Sequence, residues 1–459
     1  MTKLTARASF ALFVLFAVNL LNFFDRQLPG ALGEPIRREF HLSDTALGSL
    51  GTVFTLIYAL VGLPFGRLSD KWYRTRLIAV GTAAWSILTA ASGLAQNYLQ
   101  MFVARLGVGV GEATCAPAGQ SLIGDLYPPQ ARSRAMGIFM LGLPAGLFLA
   151  YMTAGTLGAR FGWRATFLVA CVPGLVFALL ALLIPEPARG TLDLARPTVV
   201  PGAAVPGAAV PGAAVPGAAV PGTAVRSPYA AVLSLPTMWW IILSGIFHNF
   251  NMYAINSFQS PFLQLFHAMS LKEASTVSAI SIGAVGAIGL LAGGWLADKL
   301  SAKRRNGRLL LAAGCMAITA PSILLALNQP KGAVTAFMLL MMLGTMTMYV
   351  YYATVYAAIQ EVIEPRLRGT AVAIYFCCMY ILGASLGPLV TGMLSDHFAR
   401  AAMQAAGAAA MTDAFKAVGL HSAMYAIPLL AVLASLVLFA AAQTMEKDIR
   451  KQQAAVEFK

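Results

Sequence analysis

The chain has 459 residues, of which 58% are hydrophobic and only 11% charged, against about 25% charged in a soluble domain. That composition excludes a soluble globular protein and makes the chain an integral membrane protein. Its net charge of +14 would suit a nucleic-acid partner, but the placement of the basic residues excludes one.

A spanning helix needs about 20 mainly apolar residues. Twelve such runs are centred near residues 18, 55, 86, 111, 146, 175, 250, 285, 318, 346, 381 and 431. Long alternating strands are missing, which excludes a barrel and predicts an all-α polytopic membrane protein. The first run follows Lys3 and Arg7 and has no small-residue cleavage site after it, so it is read as a retained helix. It closes on "LLNFFDRQLPG", which sets Asp25 and Arg26 in the apolar stretch. A charge there costs about 2.5–3.5 kcal/mol on insertion scales.

The second run ends in "GRLSDKWYRTR", from Gly66. The fourth carries Arg105 and Glu112 in "RLGVGVGEA". Seven residues are two helical turns, which puts both side chains on one face about 10.5 Å apart along the axis. The fifth opens with "PQARSRAMGIF" and contains "GLPAG". Residues 201 to 225 then read PGAAV four times and PGTAV once. Proline at every fifth position forbids helix, so this is a low-complexity linker. The expected division is an N-terminal half over 1–190, a linker over 191–235 and a C-terminal half over 236–459.

Helix seven carries His248, Asn249, Asn251, Asn256, Gln259 and Gln264, and helix eight ends in "GGWLADKLSAKRR". Helix ten carries Tyr349, Tyr351, Tyr352 and Tyr356, and helix eleven opens with "PRLRGTAVAIYF" and contains "GASLGP". Residues 396 to 420 predict a short interfacial helix before the last span.

With the N-terminus placed in the cytoplasm, 22 Lys and Arg fall inside and eight outside, with Arg26 and Arg105 in the membrane. This positive-inside bias puts both termini in the cytoplasm and accounts for the basic charge. Anionic lipid headgroups are its expected partners. The two halves echo each other. Asp70 and Asp298 end corresponding helices beside basic clusters, and Pro129 and Pro365 each stand three residues before an Arg. A duplicated six-helix unit is the parallel-repeat plan of a secondary transporter.

Gly66, Asp70, Lys71, Arg74 and Arg76, with Gly294, Asp298 and Lys299 as a second copy, resemble the loop signature of the major facilitator superfamily. Arg105 with "GVGVGEA" resembles its helix-four signature and "GASLGP" its helix eleven. Within that superfamily, "NFFDR", "RLGVGVGEA", "RSRAMGIF", "LPAG" and "PEPARG", spread over Asn22 to Gly190, resemble the spinster lipid transporters. The resemblance implies twelve helices in two six-helix pseudo-repeats. It also implies an amphiphilic, anionic cargo of the lysophospholipid or sphingosine-phosphate type, moved by proton-linked alternating access. A proton-coupled organic-anion, sugar-acid or drug transporter on the same scaffold is the alternative. The proline–alanine linker departs from the family pattern.

Asp25 and Glu112 are the expected proton-coupling groups. Arg26, Arg105, His248, Tyr352 and Tyr356 are the expected substrate or gate contacts, and Asp70, Lys71, Arg74, Asp298 and Lys299 the cytoplasmic gate. A purely structural ion-pair cluster between helices one and four is the competing reading, as packing is for the tyrosines and a hydrogen-bonded core position for His248. Neighbouring residues on a helix point about 100° apart. Asp25 is therefore assigned to the helix-four charges and Arg26 to the cargo head or a gate contact. The C-terminal half is expected to hold no buried formal charge. The five histidines form no catalytic motif, no P-loop is present, and "GASLG" lacks the strand that a nucleophile elbow needs. Cys115, Cys171, Cys315, Cys377 and Cys378 lack metal-ligand spacing. The expectation is a monomer of the inner membrane, not an enzyme, with no cofactor, no metal and no nucleic acid.

Overall fold

The computed structural model describes residues 2–188, 228–364 and 367–457, so the PGAAV linker lies outside the described residues. In the N-terminal half the helices are α1 (Thr2–Ala31), α2 (Gly33–Phe40), α3 (Asp44–Lys71), α4 (Arg74–Leu94), α5 (Tyr98–Glu112), α6 (Cys115–Leu126), α7 (Pro129–Met140), α8 (Gly142–Thr153) and α9 (Ala159–Ala181). The C-terminal half has α10 (Pro228–Leu233), α11 (Pro236–Phe266), α12 (Leu271–Ser278), α13 (Val285–Ser301), α14 (Gly307–Leu327), α15 (Val334–Val362), α16 (Arg368–Cys378), α17 (Leu386–Ala405), α18 (Asp413–Met424) and α19 (Ala426–Glu457). Short π turns at Ala154–Gly158, Ala279–Ala284 and Met379–Ala384 join α8 to α9, α12 to α13 and α16 to α17. The fold class is all-α and polytopic.

Among the described residues nine stretches are long and apolar enough to cross a membrane. One of them, Arg134–Ala181, is 48 residues long, twice a crossing, and turns back at Gly162, whose φ is +84°. Two more crossings, α5 with α6 and α11, are diluted by the polar residues that sequence reading singles out: Arg105 and Glu112 on the first, His248, Asn249, Asn251, Asn256 and Gln259 on the second. Twelve crossings result, and an even number leaves both termini at one end of the bundle.

Helices that start at the other end carry their own caps. Ser43 accepts from Ala46 N, Asn97 from Gln100 N, and Ser270 with Glu273 makes a capping box, which fixes where α3, α5 and α12 begin. The segment 396–420 is not a separate interfacial helix, since it holds the second half of α17 and the first part of α18, and α18 belongs to the apolar stretch Asp413–Arg450 of the last span.

Two apolar clusters fill the bundle. One lies wholly in the N-terminal half, around Leu15, Ile78, Trp85, Leu122, Phe139 and Ile184. The other runs through the C-terminal half and continues into the N-terminal half at Leu28, Leu32, Leu47, Tyr151 and Trp163. The halves meet where α3 packs on α17 and where α8 and the π turn after it pack on α12 and the π turn that follows.

Their polar contacts gather toward the end away from the termini. Asp396, midway along α17, accepts from Asp44 N and Thr45 N at 2.9 Å each and from the Thr45 hydroxyl at 2.5 Å. Ser395 donates to Asp44 at 2.6 Å, Thr52 donates to Ser385 O at 2.5 Å, and Arg37 lies 3.6 Å from Asp413. At Gly48 of α3 the bare backbone lies against the Pro388 carbonyl. Gly66 is eighteen residues on, hence five turns along the same face, and a Cβ there would meet nothing within 4 Å. Gly62 and, on α7, Gly137 also face open space. Among the described residues the interface between the halves is therefore shut at one end and open at the end that carries the termini.

Candidate functional site

Four charged side chains meet at mid-depth. Asp25 is 1% exposed, Arg105 1% and Glu112 0%, while the Arg26 side chain is 8% exposed. Arg26 Nη2 lies 3.5 Å from Glu112 Oε2, donates to Asn22 at 3.2 Å, and through Nη1 donates to Tyr253 Oη of the other half at 3.3 Å. Its guanidinium carbon sits 4.9 Å from the Phe23 ring, 5.0 Å from Phe54 and 4.5 Å from Tyr58, all inside the range of a cation–π contact. Tyr58 in turn meets Tyr380 across the interface, with centroids 5.7 Å apart.

The assignment of Asp25 to the helix-four charges changes in one respect, since Glu112 pairs with Arg26. Asp25 is the neighbour of Arg105, Trp85 and Thr89, whereas Glu112 is paired to Arg26 and shares Arg105 with Asp25. The physical reason is the 100° step between adjacent residues. It turns Asp25 toward α4 and Arg26 toward α5 and the interface. Arg105 also packs on the Phe54 ring, 5.1 Å from its centroid. The cluster is thinly bonded. Asp25 Oδ1, both Glu112 oxygens, Arg26 Nε and Arg105 Nε and Nη1 are buried without a hydrogen bond. Buried polar atoms are normally satisfied, so these are groups with bonding capacity in reserve.

The opposite wall is aromatic. Tyr352 contacts His248, Tyr349, Tyr351 and Tyr356, and Tyr356 contacts Tyr375 and Phe376. Tyr352 also donates to Asn249 at 3.4 Å. His248 is not the hydrogen-bonded core histidine of the sequence reading. It stacks on Tyr351 at 3.9 Å and both ring nitrogens are unbonded, because the surrounding tyrosines offer faces where it would need polar atoms.

Above the charges, Gln27 donates to Tyr151 Oη at 2.9 Å and to Asn256 O at 2.6 Å, and Tyr151 donates to the same carbonyl at 2.9 Å. This buried knot ties α1 and α8 to α11.

The expected gate residues separate. The Asp70 side chain lies outside the described residues. Lys71 is exposed. Arg74 is fully buried and binds Asp125, Glu186 at 2.8 Å, the Ser121 hydroxyl at 2.9 Å and Pro187 O at 2.9 Å, all within its own half. Asp298 pairs with Arg308 at 3.1 Å, Arg308 with Glu361 at 3.0 Å, and Lys299 lies over Trp295. One C-terminal acid contradicts the expected absence of buried charge there. Asp448 is 5% exposed and caps α11 by accepting from Thr237 N at 3.0 Å and Thr237 Oγ1 at 2.6 Å. It does so because the helix start needs an acceptor.

Sequence reading missed Tyr58, Tyr253 and Tyr380, which resemble packing tyrosines, and Asp396, whose partners are over 350 residues away. Asn22 was within reach of it, since Asn22 and Arg26 stand at i, i+4 on one helix face.

A family model described as the Major Facilitator Superfamily matches residues 15–388. An MFS-type efflux pump of Mycolicibacterium smegmatis is 29% identical over 391 residues, 85% of each chain. Protein spinster homolog 3 of Mus musculus is 27% identical over 399 residues, 85% of this chain and 75% of its own. Among solved structures, a bacterial homologue of the human lysosomal transporter Spinster, in an inward-facing and unoccupied conformation, superposes with a TM-score of 0.80 at 28% identity. That match covers 96% of this chain and 98% of the other.

Proposed function

Because the chain belongs to the Major Facilitator Superfamily and is a multi-pass, Spinster-like transporter rather than an enzyme, we propose that it moves an amphiphilic lipid with an anionic head by proton-linked alternating access. The observation that carries this reading is Arg26. It is buried in mid-membrane, paired to Glu112 at 3.5 Å and bonded to Tyr253 of the other half at 3.3 Å. With both acids ionised the four charges cancel. A proton taken up at Glu112 removes the counter-charge of Arg26 and leaves a buried positive excess. Such an excess must be hydrated, neutralised by an anion or relieved by a change of conformation. An anionic head neutralises it through paired hydrogen bonds to a guanidinium, and the tyrosine wall of the C-terminal half accepts the apolar tail.

In this scheme the open end, which carries the termini and most of the basic residues, faces the cytoplasm of an inner membrane, and the protein acts as a monomer. Asp25 and Glu112 are the proton-coupling pair. Arg26, Arg105, Tyr352 and Tyr356 are the cargo contacts.

Flux of a panel of lysophospholipids and sphingoid phosphates in proteoliposomes, with and without an imposed pH gradient, tests the proposal. Transport that the gradient accelerates is expected. A panel that is ignored while small organic anions or drugs are carried would overturn it in favour of the second reading, an organic-anion, sugar-acid or drug transporter on the same scaffold, which the similarity to the mycobacterial efflux pump supports.

A further inference from the structure

Arg26 occupies a box that a different cation could use. Three ring faces surround its guanidinium carbon, Phe23 at 4.9 Å, Phe54 at 5.0 Å and Tyr58 at 4.5 Å. The counter-charge is Glu112, whose two buried oxygens make no hydrogen bond and whose nearest approach to Arg26 is 3.5 Å. An aromatic box with a carboxylate at its mouth is a recognition site for onium groups. What fills it now is a side chain on a flexible stem, fixed by two hydrogen bonds of 3.2 and 3.3 Å to neutral oxygens. The remaining cation, Arg105, lies 5.1 Å from the Phe54 centroid and also acts on Glu112, but makes no ion pair with it as close as that of Arg26.

We infer that this is a binding site for organic monocations, quaternary ammonium heads on a short apolar chain, and that Arg26 is its built-in competitor. When Arg26 swings away from Glu112, the box keeps its three rings and a carboxylate that has lost its paired cation. A trimethylammonium group matches that environment, since it offers positive charge and an apolar surface and donates no hydrogen bond. The inference rests on the reading of this cluster as the cargo site, but it reverses the role of Arg26. Arg26 attracts an anionic head and excludes a cationic one.

The two roles give opposite signs in one experiment. Binding of tritiated hexyltrimethylammonium to the purified full-length protein is measured by scintillation proximity, beside its uncharged carbon isostere and beside an anionic lysophospholipid. The wild type is expected to prefer the cation to the isostere. Arg26→Ala should tighten the cation by about tenfold by vacating the box, and Arg26→Gln should do the same where the alanine variant fails to fold. Glu112→Gln and Tyr58→Leu should each weaken the cation by about tenfold, with monodisperse elution and an unchanged melting temperature as the control of fold. Cation binding that is unchanged or weaker in both Arg26 variants overturns the inference, as does equal binding of the isostere. The lysophospholipid arm reports on the lipid proposal by itself. There Arg26→Ala must weaken binding, and a failure in that arm alone leaves the onium box standing.

Discussion

Arg26 and Asp25 are neighbours in sequence with different work. Arg26 bonds to Asn22 and Tyr253 and forms an ion pair with Glu112, so Arg26→Ala should weaken an anionic head by about tenfold or more, the size of a charge-assisted hydrogen bond. Equilibrium binding checks this. Glu112→Gln removes the counter-charge at any pH and should flatten the pH dependence of the conformational balance, read from spin-label distances between pH 4 and 9. Asp25→Asn acts through Arg105 and should shift that balance less. A wild-type midpoint in the Glu112 variant would move proton coupling away from this pair. Arg74 is a structural counterpart. It is fully buried with Asp125 and Glu186 as partners, and Arg74→Ala should lower stability by about 3 kcal/mol, seen as a lower melting temperature in detergent. The four intramembrane charges were legible in the sequence because each breaks an apolar run. Who pairs with whom was not, because side-chain direction depends on how α1 is rotated against α4 and α5.

At the scale of elements, the ends of helices carry the joints. Asp396 of α17 caps the first turn of α3 with three hydrogen bonds, a cap donated across the interface. Caps are worth about 0.5–2 kcal/mol. Asp396→Ala should therefore move the balance several-fold toward an opened far end, visible as longer distances between labels at His41 and Arg400, both exposed. Unchanged distances would show that backbone packing alone holds this end. The end of α2 is tied to α9 by Glu39, which accepts from the Trp163 indole at 2.6 Å and from Arg164. Burial pushes the Glu39 carboxyl up, but these two donors outweigh it and hold it below its ordinary value. The contribution is thus present above the unfolded-state value and fades as pH falls through the folded one. The melting-temperature gap between wild type and Glu39→Gln should be widest at neutral pH and close in acid. Helix existence and order could be read from sequence because apolar runs are local. The Asp396 cap joins residues more than 350 apart, and no local pattern encodes it.

For the whole molecule, alternating access requires the open end to close as the shut end parts. Gly48 and Gly66 lie on one face of α3, the first against Pro388 and the second against open space. A side chain at Gly66 costs nothing in the present state but obstructs the state in which that end shuts. Gly66→Val should therefore keep the melting temperature and lose most flux, with label distances fixed in the open form. Gly48→Val has no room and should instead lose stability or spread the far end. Similar effects from both substitutions would mean that α3 does not pivot between these contacts.

The unequal sharing of the apolar interior bears on how the chain is made. The cluster around Leu15, Trp85, Phe139 and Ile184 contains only residues that leave the ribosome early. The larger cluster needs Leu32, Leu47 and Tyr151 from the early part and Phe258, Phe337 and Met424 from the late part. Synthesis proceeds from the N-terminus, and a completed unit can consolidate while the rest is still being added. A nascent chain arrested at residue 190 should already resist protease around Trp85, while Leu32 and Leu47 remain open to it until the second half is inserted. The later-made helices are thus assembled against a surface that the earlier ones have prepared. Misassembly should concentrate at that seam, where a membrane chaperone has the most to shield.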